Sequence, residues 1–272
     1  MRRIINYVPR PGVRLILASL PFILALAVYL LASNARLAVE PADKLMPSLA
    51  TFWATMVRMA TTLDVATKQY LLWWDTWLSL WRLFLGLGIS ALLGLVLGIV
   101  VGFIPYLRST FEPFFAAFSL IPPLAVLPIL FILFGLGEVS KIVLIVFGIA
   151  PFIIRDVMLR VSAIPTEQII KAQTLGASTW QMITGVVLPQ VMPRLLDSVR
   201  LSLGAAWLFV IAAEAITAEG GLGYRIFLVR RYLAMDVILP YVIWITLLAF
   251  LMDYALRRLA AAAYPWDRIK AA

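Results

Sequence analysis

Apolar residues run through this chain in long, nearly uncharged blocks separated by short polar stretches. Residues 15–35 carry no charge over 21 positions, long enough for a helix to cross a hydrocarbon layer of about 30 Å. Blocks of the same kind predict transmembrane helices at 13–34, 78–105, 111–134, 139–160, 196–218 and 237–256. Between the first two, charged residues are scattered among apolar ones. Leu49, Phe52, Trp53, Met56, Val57 and Ala60 recur there at helical spacing, and Tyr70, Trp73, Trp74 and Trp77 follow. Such aromatic, amphipathic pieces suit the membrane–water interface.

Several blocks carry internal structure. Gly86, Ser90, Gly94, Gly98 and Gly102 recur every fourth residue, a smooth stripe on one helix face where another backbone can approach closely. Static packing and sliding during transport both fit such a stripe. The third block holds Pro122, Pro123 and Pro128, which leave carbonyls without helical partners. In a membrane such backbone belongs beside protein or a water-filled path; kinks made for packing are the alternative. The fourth block is charge-free only between Lys141 and Arg155, so Arg155, Asp156 and Arg160 are expected to reach toward the cytoplasm. Glu214 is the one acid read as lying deep in an apolar helix. It would face a path or partner, or hydrogen-bond structurally near the outer surface.

One long segment, Thr166 to Pro193, is polar and helical between apolar neighbours. Pro165-Thr166 starts a helix, Leu175-Gly176-Ala177-Ser178 breaks it, and Leu188-Pro189 should end or kink the second run. A hairpin of this kind has little to bury in lipid, so it sits in water and presents a surface. It is a docking element, or else a plain amphipathic connector.

Composition supports a membrane protein: 63% of the 272 residues are hydrophobic and 14% charged, against roughly half apolar in soluble domains. The net charge of +9 reflects loop charges set by orientation and not nucleic-acid binding. With the amino end inside, 14 of the 23 basic residues fall on the cytoplasmic side, including the arm's Arg2, Arg3, Arg10 and Arg14 and the tail's Arg257, Arg258, Arg268 and Lys270. Met1-Arg2-Arg3 before the first block is read as the start of a retained helix. The absence of cysteine and histidine removes thiol chemistry and the commonest general base. No phosphate-binding Gly-x4-Gly-Lys motif is present, so no ATP site of that type is expected on this chain.

The hairpin resembles the cytoplasmic docking loop of bacterial ATP-binding cassette (ABC) importer permeases: Glu-Ala-Ala, three residues, Gly, nine residues, Ile, one residue, Leu-Pro. Aligned on Gly176, the triplet falls on Ile170, Lys171 and Ala172, the Ile position is Val186, and Leu188-Pro189 close the pattern. Only the last Ala of the triplet is kept. Glu214 followed by Gly221-Leu222-Gly223-Tyr224, the proline-rich block and Phe134-Gly135-Leu136-Gly137 through Ser140-Lys141 resemble the nitrate, sulfonate, taurine and bicarbonate subfamily.

The resemblance covers residues 70–268 and implies an all-α polytopic protein with six transmembrane helices of the type I ABC-importer permease fold. It divides the chain into 1–75 (arm, first helix, periplasmic interfacial segment) and 76–268 (core of five helices, with coupling hairpin 163–193). It implies ATPase coupling through Lys171, Ala172, Leu175, Gly176, Ala177, Leu188 and Pro189, and a path or gate at Pro122, Pro123, Pro128, Ser202, Glu214, Gly221, Leu222, Gly223 and Tyr224. No catalytic or metal-binding residue is expected, and ATP and Mg belong to the partner. The implied partners are two ATP-binding cassette subunits, a second permease copy in a homodimer, a periplasmic or lipid-anchored solute-binding protein and membrane lipid. The implied location is the bacterial inner membrane with both ends cytoplasmic. The cargo is expected to be an oxyanion, with a small cation or neutral heterocycle as the alternative. An ion-coupled carrier would show internal repeats and several intramembrane charges, and an intramembrane enzyme would show clustered reactive groups. Neither pattern is detected.

Overall fold

The computed structural model describes residues 11–40, 43–65 and 67–266. Arg2, Arg3 and Arg10 of the arm and Arg268 and Lys270 of the tail lie outside the described residues. The chain order is α1 (Pro11–Val39), α2 (Leu49–Thr61), α3 (Leu71–Phe103), α4 (Pro105–Phe118), α5 (Pro123–Phe134), α6 (Glu138–Ser162), α7 (Thr166–Thr174), α8 (Thr179–Met182), a π-helical turn (Ile183–Val187), α9 (Leu188–Leu201), α10 (Leu203–Thr217), α11 (Leu222–Arg230) and α12 (Met235–Ala263). By length and composition α1, α3, α6 and α12 can each cross a membrane. Two bent pairs, α4 with α5 and α8–α9 with α10, bring the crossings to six if each pair is one span.

The centre of the fold is the seam between α3 and α6, and the small-residue stripe makes it. A Cβ on Gly86 would come within 2.5 Å of Ile145, and one on Gly98 within 2.6 Å of Val157. Gly94 abuts Ile153 as closely, and Gly102 sits against Val161 and the backbone of Met158. Ser90, in the same row, is buried with its hydroxyl on Gly86 O at 2.7 Å. The stripe therefore packs closely against α6, and Leu83, Leu87, Leu144, Ile149 and Val157 fill the core around it. On the other face of α6, Gly148 receives the Phe209 ring of α10.

Three expectations from the sequence change. The third block is not one continuous helix: α4 and α5 meet at 95°. Pro122 and Pro123 lack amide hydrogens and push the residues before them out of the helical region, so the ladder stops; Pro122 is extended, with ψ 116°. The fifth block starts earlier and is broken. The hairpin's second helix passes through the π-helical turn into α9, then bends by 45° at Ser202. The Ser202 hydroxyl bonds back to Ser198 O at 2.8 Å, a contact that bends helices. Finally, the aromatic run at 70–77 is the first two turns of α3, so the division at residue 75 falls inside that helix.

The interfacial segment folds as α2, which buries Phe52 and Thr55 and leaves Trp53 exposed. α1 stands apart, with most of its apolar surface exposed. Tyr29 Oη donates to Pro47 O at 2.6 Å and Ser33 Oγ to Met46 O at 2.9 Å, tying α1 to the segment that leads into α2.

Candidate functional site

Two polar constructions stand at opposite ends of α6, about 37 Å apart at 1.5 Å rise per residue. At its carboxyl end is the hairpin. α7 closes in a Schellman cap: Gly176, at φ +78°, donates to Gln173 O at 2.9 Å, and Ala177 N donates to Ala172 O at 3.0 Å. Only glycine adopts that φ cheaply, which explains the break the sequence pattern placed at this residue. α8 opens with a capping box, Ser178 N donating to Gln181 Oε1 at 2.8 Å and Gln181 N to Ser178 Oγ at 3.3 Å.

The two short helices are thus held by their own caps and bury little against the bundle. Leu175 is 79% exposed and Trp180 72%, with Ile170 and Lys171 also exposed. Leu188 and Pro189 do not end the second run, which continues through the π-helical turn into α9. Pro189 sits in the first turn of α9, where its missing amide costs nothing. The π-helical turn before it absorbs the misfit through Leu188 N to Ile183 O, one residue wider than an α-helical bond.

At the amino end of α6 lies a buried charge network. Glu214 is fully buried. Its carboxylate accepts from Arg82 Nη1 at 2.7 Å, Ser79 Oγ at 2.8 Å and Gly223 N at 2.8 Å. Arg82 Nη1 also donates to Gly220 O at 2.9 Å. The Nε–Nη2 edge of Arg82 forks onto Glu138 at 2.6 and 2.7 Å, and Lys141 Nζ adds a bond to the same carboxylate at 2.8 Å. Two turns before Arg82 on α3, Asp75 Oδ2 accepts from Arg225 Nε at 2.8 Å and from Tyr241 Oη at 3.2 Å, and Asp75 Oδ1 accepts from Gly221 N at 3.0 Å. Burial works against the charge on Arg225, but Asp75 outweighs it and holds the guanidinium pKa above its ordinary value.

This network explains why residues 222–230, which lie between two of the blocks predicted to span the membrane, are helix. The first amides of a helix have no intrahelical acceptor. Here Gly221, Leu222 and Gly223 donate to Asp75, Ser79 and Glu214, so α3 and α10 cap α11 from a distance, with two acids at its positive end. The glycines make this approach possible. A Cβ on Gly221, at φ +123°, would lie 2.5 Å from the Glu214 carboxyl carbon, and one on Gly223 would lie 2.8 Å from the backbone of Ile211.

Of the path and gate residues expected from the sequence, the structure brings Glu214, Gly221, Leu222 and Gly223 into one cluster, with Tyr224 beside it and 5.8 Å from the Arg225 guanidinium. Pro122, Pro123 and Pro128 stand apart on α5, where Ile129, Ile132 and Leu133 are exposed. Ser202 is buried at the α9–α10 break.

The reading of Glu214 as the single deep acid missed its partners. Asp75, Ser79 and Arg82 lie at i, i+4 and i+7, one face of a helix, and that spacing was the available signal. The aromatic pattern at 70–77 masks it, because it assigns those residues to the interface and puts Asp75 and Arg82 at the edge of a span. Glu138, Lys141, Arg225 and Tyr241 come from other elements, and no local pattern ties them to Glu214.

The model of a protein family described as "Binding-protein-dependent transport system inner membrane component" matches residues 90–264, which takes in the hairpin and the Glu214–Gly223 cluster but not Asp75, Ser79 or Arg82. The taurine transport system permease protein of Escherichia coli is 37% identical over 195 residues, 72% of this chain and 71% of that protein. The bicarbonate transport system permease protein of Synechococcus elongatus is 32% identical over 186 residues, covering 67% of this chain and 66% of that one. A chain from inward-facing structures of the MetNI methionine ABC transporter aligns with TM-score 0.58 and 25% identity, over 68% of this chain and 96% of that chain.

Proposed function

The chain belongs to the binding-protein-dependent transport system inner membrane component family, the permease subunits of ABC importers, and from that membership we propose that it carries a small oxyanion by ATP-driven alternating access. Each of two permease copies forms half of the path and receives one ATPase subunit on its hairpin. A solute-binding protein delivers the cargo to the outer end. Both chain ends and the hairpin are cytoplasmic, in line with the excess of basic residues on that side, and the network end of α6 faces outward. The permease is non-catalytic, and ATP and Mg are bound by the partner ATPase.

The observation that carries this reading is the hairpin: two self-capped helices exposing Leu175, Trp180 and Ile170, with Lys171 beside them. Apolar side chains left in water at the tip of a rigid element suit a protein partner. Lys171 at an Ala position of the family pattern fits an acidic patch on that partner.

Relatives named for taurine and bicarbonate transport support a cargo that carries an oxyanion group, a sulfonate or a carbonate. So does the bonding of Glu214. An ionised acid on the path would repel an anion, but this one is buried against Arg82 and braces the turn at 220–223. Near the α9–α10 break, the buried indole N–H of Trp207 has no acceptor among the described residues, a spare donor of the kind an anion needs. The α5 helix with Pro122, Pro123 and Pro128, exposed on one side, lines the path against the second copy.

The test is reconstitution. The chain should co-purify with an ABC ATPase subunit, and proteoliposomes holding the complex and its binding protein should take up taurine, nitrate or bicarbonate only with ATP. Uptake without ATP, driven by an ion gradient, would refute the proposal.

A further inference from the structure

The Arg82 guanidinium is fixed from behind and offers its free edge to a carboxylate that solvent reaches. Nη1 is held by Glu214 Oε1 at 2.7 Å and Gly220 O at 2.9 Å. Nε and Nη2 point in parallel at Glu138, at 2.6 and 2.7 Å, and Lys141 Nζ supplies a third bond at 2.8 Å. The two cations are buried, with side chains 3% and 4% exposed, whereas the Glu138 side chain is 52% exposed. A desolvated guanidinium fork with an ammonium beside it matches two or three oxygens of an oxyanion. Glu138 supplies those oxygens from the first residue of α6, directly after the Gly135-Leu136-Gly137 turn, where Gly135 is at φ +73°. Its carboxylate can leave for solvent without burying a charge.

We propose that Arg82 and Lys141 form an oxyanion-binding site at the outer end of the bundle, closed here by Glu138, whose carboxylate the incoming solute displaces. The site rests on the oxyanion reading of the cargo. Arg82 and Lys141 balance Glu138 and Glu214, and exchange of the Glu138 carboxylate for a monoanion leaves that balance unchanged within the site. Neither the closed nor the loaded state strands a buried charge, which lowers the main cost of holding ions within low-dielectric protein. Arg82 touches both the entering anion and Gly220 O, so occupancy reaches the turn that caps α11 through one side chain. The solute thereby acts on the packing of α3, α10 and α11 at the moment of entry.

The experiment titrates the purified permease–ATPase complex in nanodiscs with sodium nitrate, sodium bicarbonate and taurine, read by calorimetry, for wild type, Glu138→Ala, Glu138→Gln and Glu138→Ala combined with Lys141→Gln. A self-closed site reduces apparent affinity by its open fraction, so opening it should raise affinity about tenfold or more for at least one probe. Glu138→Gln, which keeps the shape, should gain less, and Lys141→Gln should cancel the gain. No gain with either single variant, or a gain that survives Lys141→Gln, overturns the site. Wild-type uptake tests the cargo reading separately. Uptake of an oxyanion with no gain on opening sinks the site alone. A gain with no uptake of any of the three sinks the cargo reading and leaves the site standing.

Discussion

The two ends of α6 solve opposite problems. At its amino end, charged and polar groups sit in an apolar surrounding, and those of the network bond to one another: Arg82 with Glu138 and Glu214, Asp75 with Arg225 and Tyr241, and Ser79 with the α11 turn. At its carboxyl end, apolar groups stand in a polar surrounding, and Leu175 and Trp180 touch little of their own chain. Polar groups placed where they cost most are satisfied internally and hold the fold. Apolar groups placed where they cost most are left uncovered by this chain, open to the partner proposed for the hairpin. The contrast predicts that substitutions at the first end act on stability and those at the second act on coupling.

The largest effect should come from Glu214→Ala. It strands part of the Arg82 charge and uncaps Gly223, and breaking a buried pair on one side costs about 3–5 kcal/mol. The Glu138 fork remains on Arg82, so the lower half of that range is expected. Denaturant or thermal unfolding of the purified chain measures it, and wild-type stability in this variant would mean that the network is not a brace. Gly221→Ala drives a methyl group against the Glu214 carboxyl at a backbone angle that disfavours side chains. It should destabilise by about 1–3 kcal/mol.

A glycine pair on α3 sharpens the point. Gly98→Ala presses on Val157 at 2.6 Å and Ile154 O at 3.1 Å and should cost about 1–3 kcal/mol as overpacking. Gly88→Ala, ten residues earlier, meets nothing within 4 Å and should be neutral or stabilising by up to about 1 kcal/mol through helix propensity. Equal effects at the two positions would contradict the packed seam.

Much of this contrast was legible in the sequence, and unevenly so. The hairpin was readable because its signals are local: Pro165-Thr166 starts it, Leu175-Gly176-Ala177-Ser178 breaks it and Leu188-Pro189 closes the pattern. The stripe was readable because four-residue spacing on a helix needs no knowledge of the partner. The α4–α5 break was only half visible. Three prolines announced irregular backbone, but the 95° angle depends on the adjacent pair Pro122-Pro123, where two consecutive amides are missing. The network was the least legible, since Glu214, Glu138, Lys141, Arg225 and Tyr241 meet only after four helices pack. α11 was hidden for the same reason: its caps come from α3 and α10, so nothing local marked its start.

At the hairpin, effects on stability should be small and effects on partners large. Lys171→Glu, on an exposed face, should change stability by no more than about 0.5 kcal/mol and weaken binding of the ATPase most at low ionic strength, where surface charges are least screened. Binding isotherms at two salt concentrations read this directly, and an affinity unchanged at both would remove the acidic patch from the account.

The central claim, that the hairpin couples this permease to its ATPase, is tested most directly with Leu175→Asp. Leu175 is 79% exposed and precedes the left-handed Gly176, so a charge there spoils an apolar contact without disturbing the cap. The measurement is ATP hydrolysis by the reconstituted complex with its loaded binding protein, alongside the unfolding midpoint of the permease. The account predicts an unchanged midpoint and loss of the stimulated hydrolysis. Full stimulation from a complex carrying Leu175→Asp would contradict it.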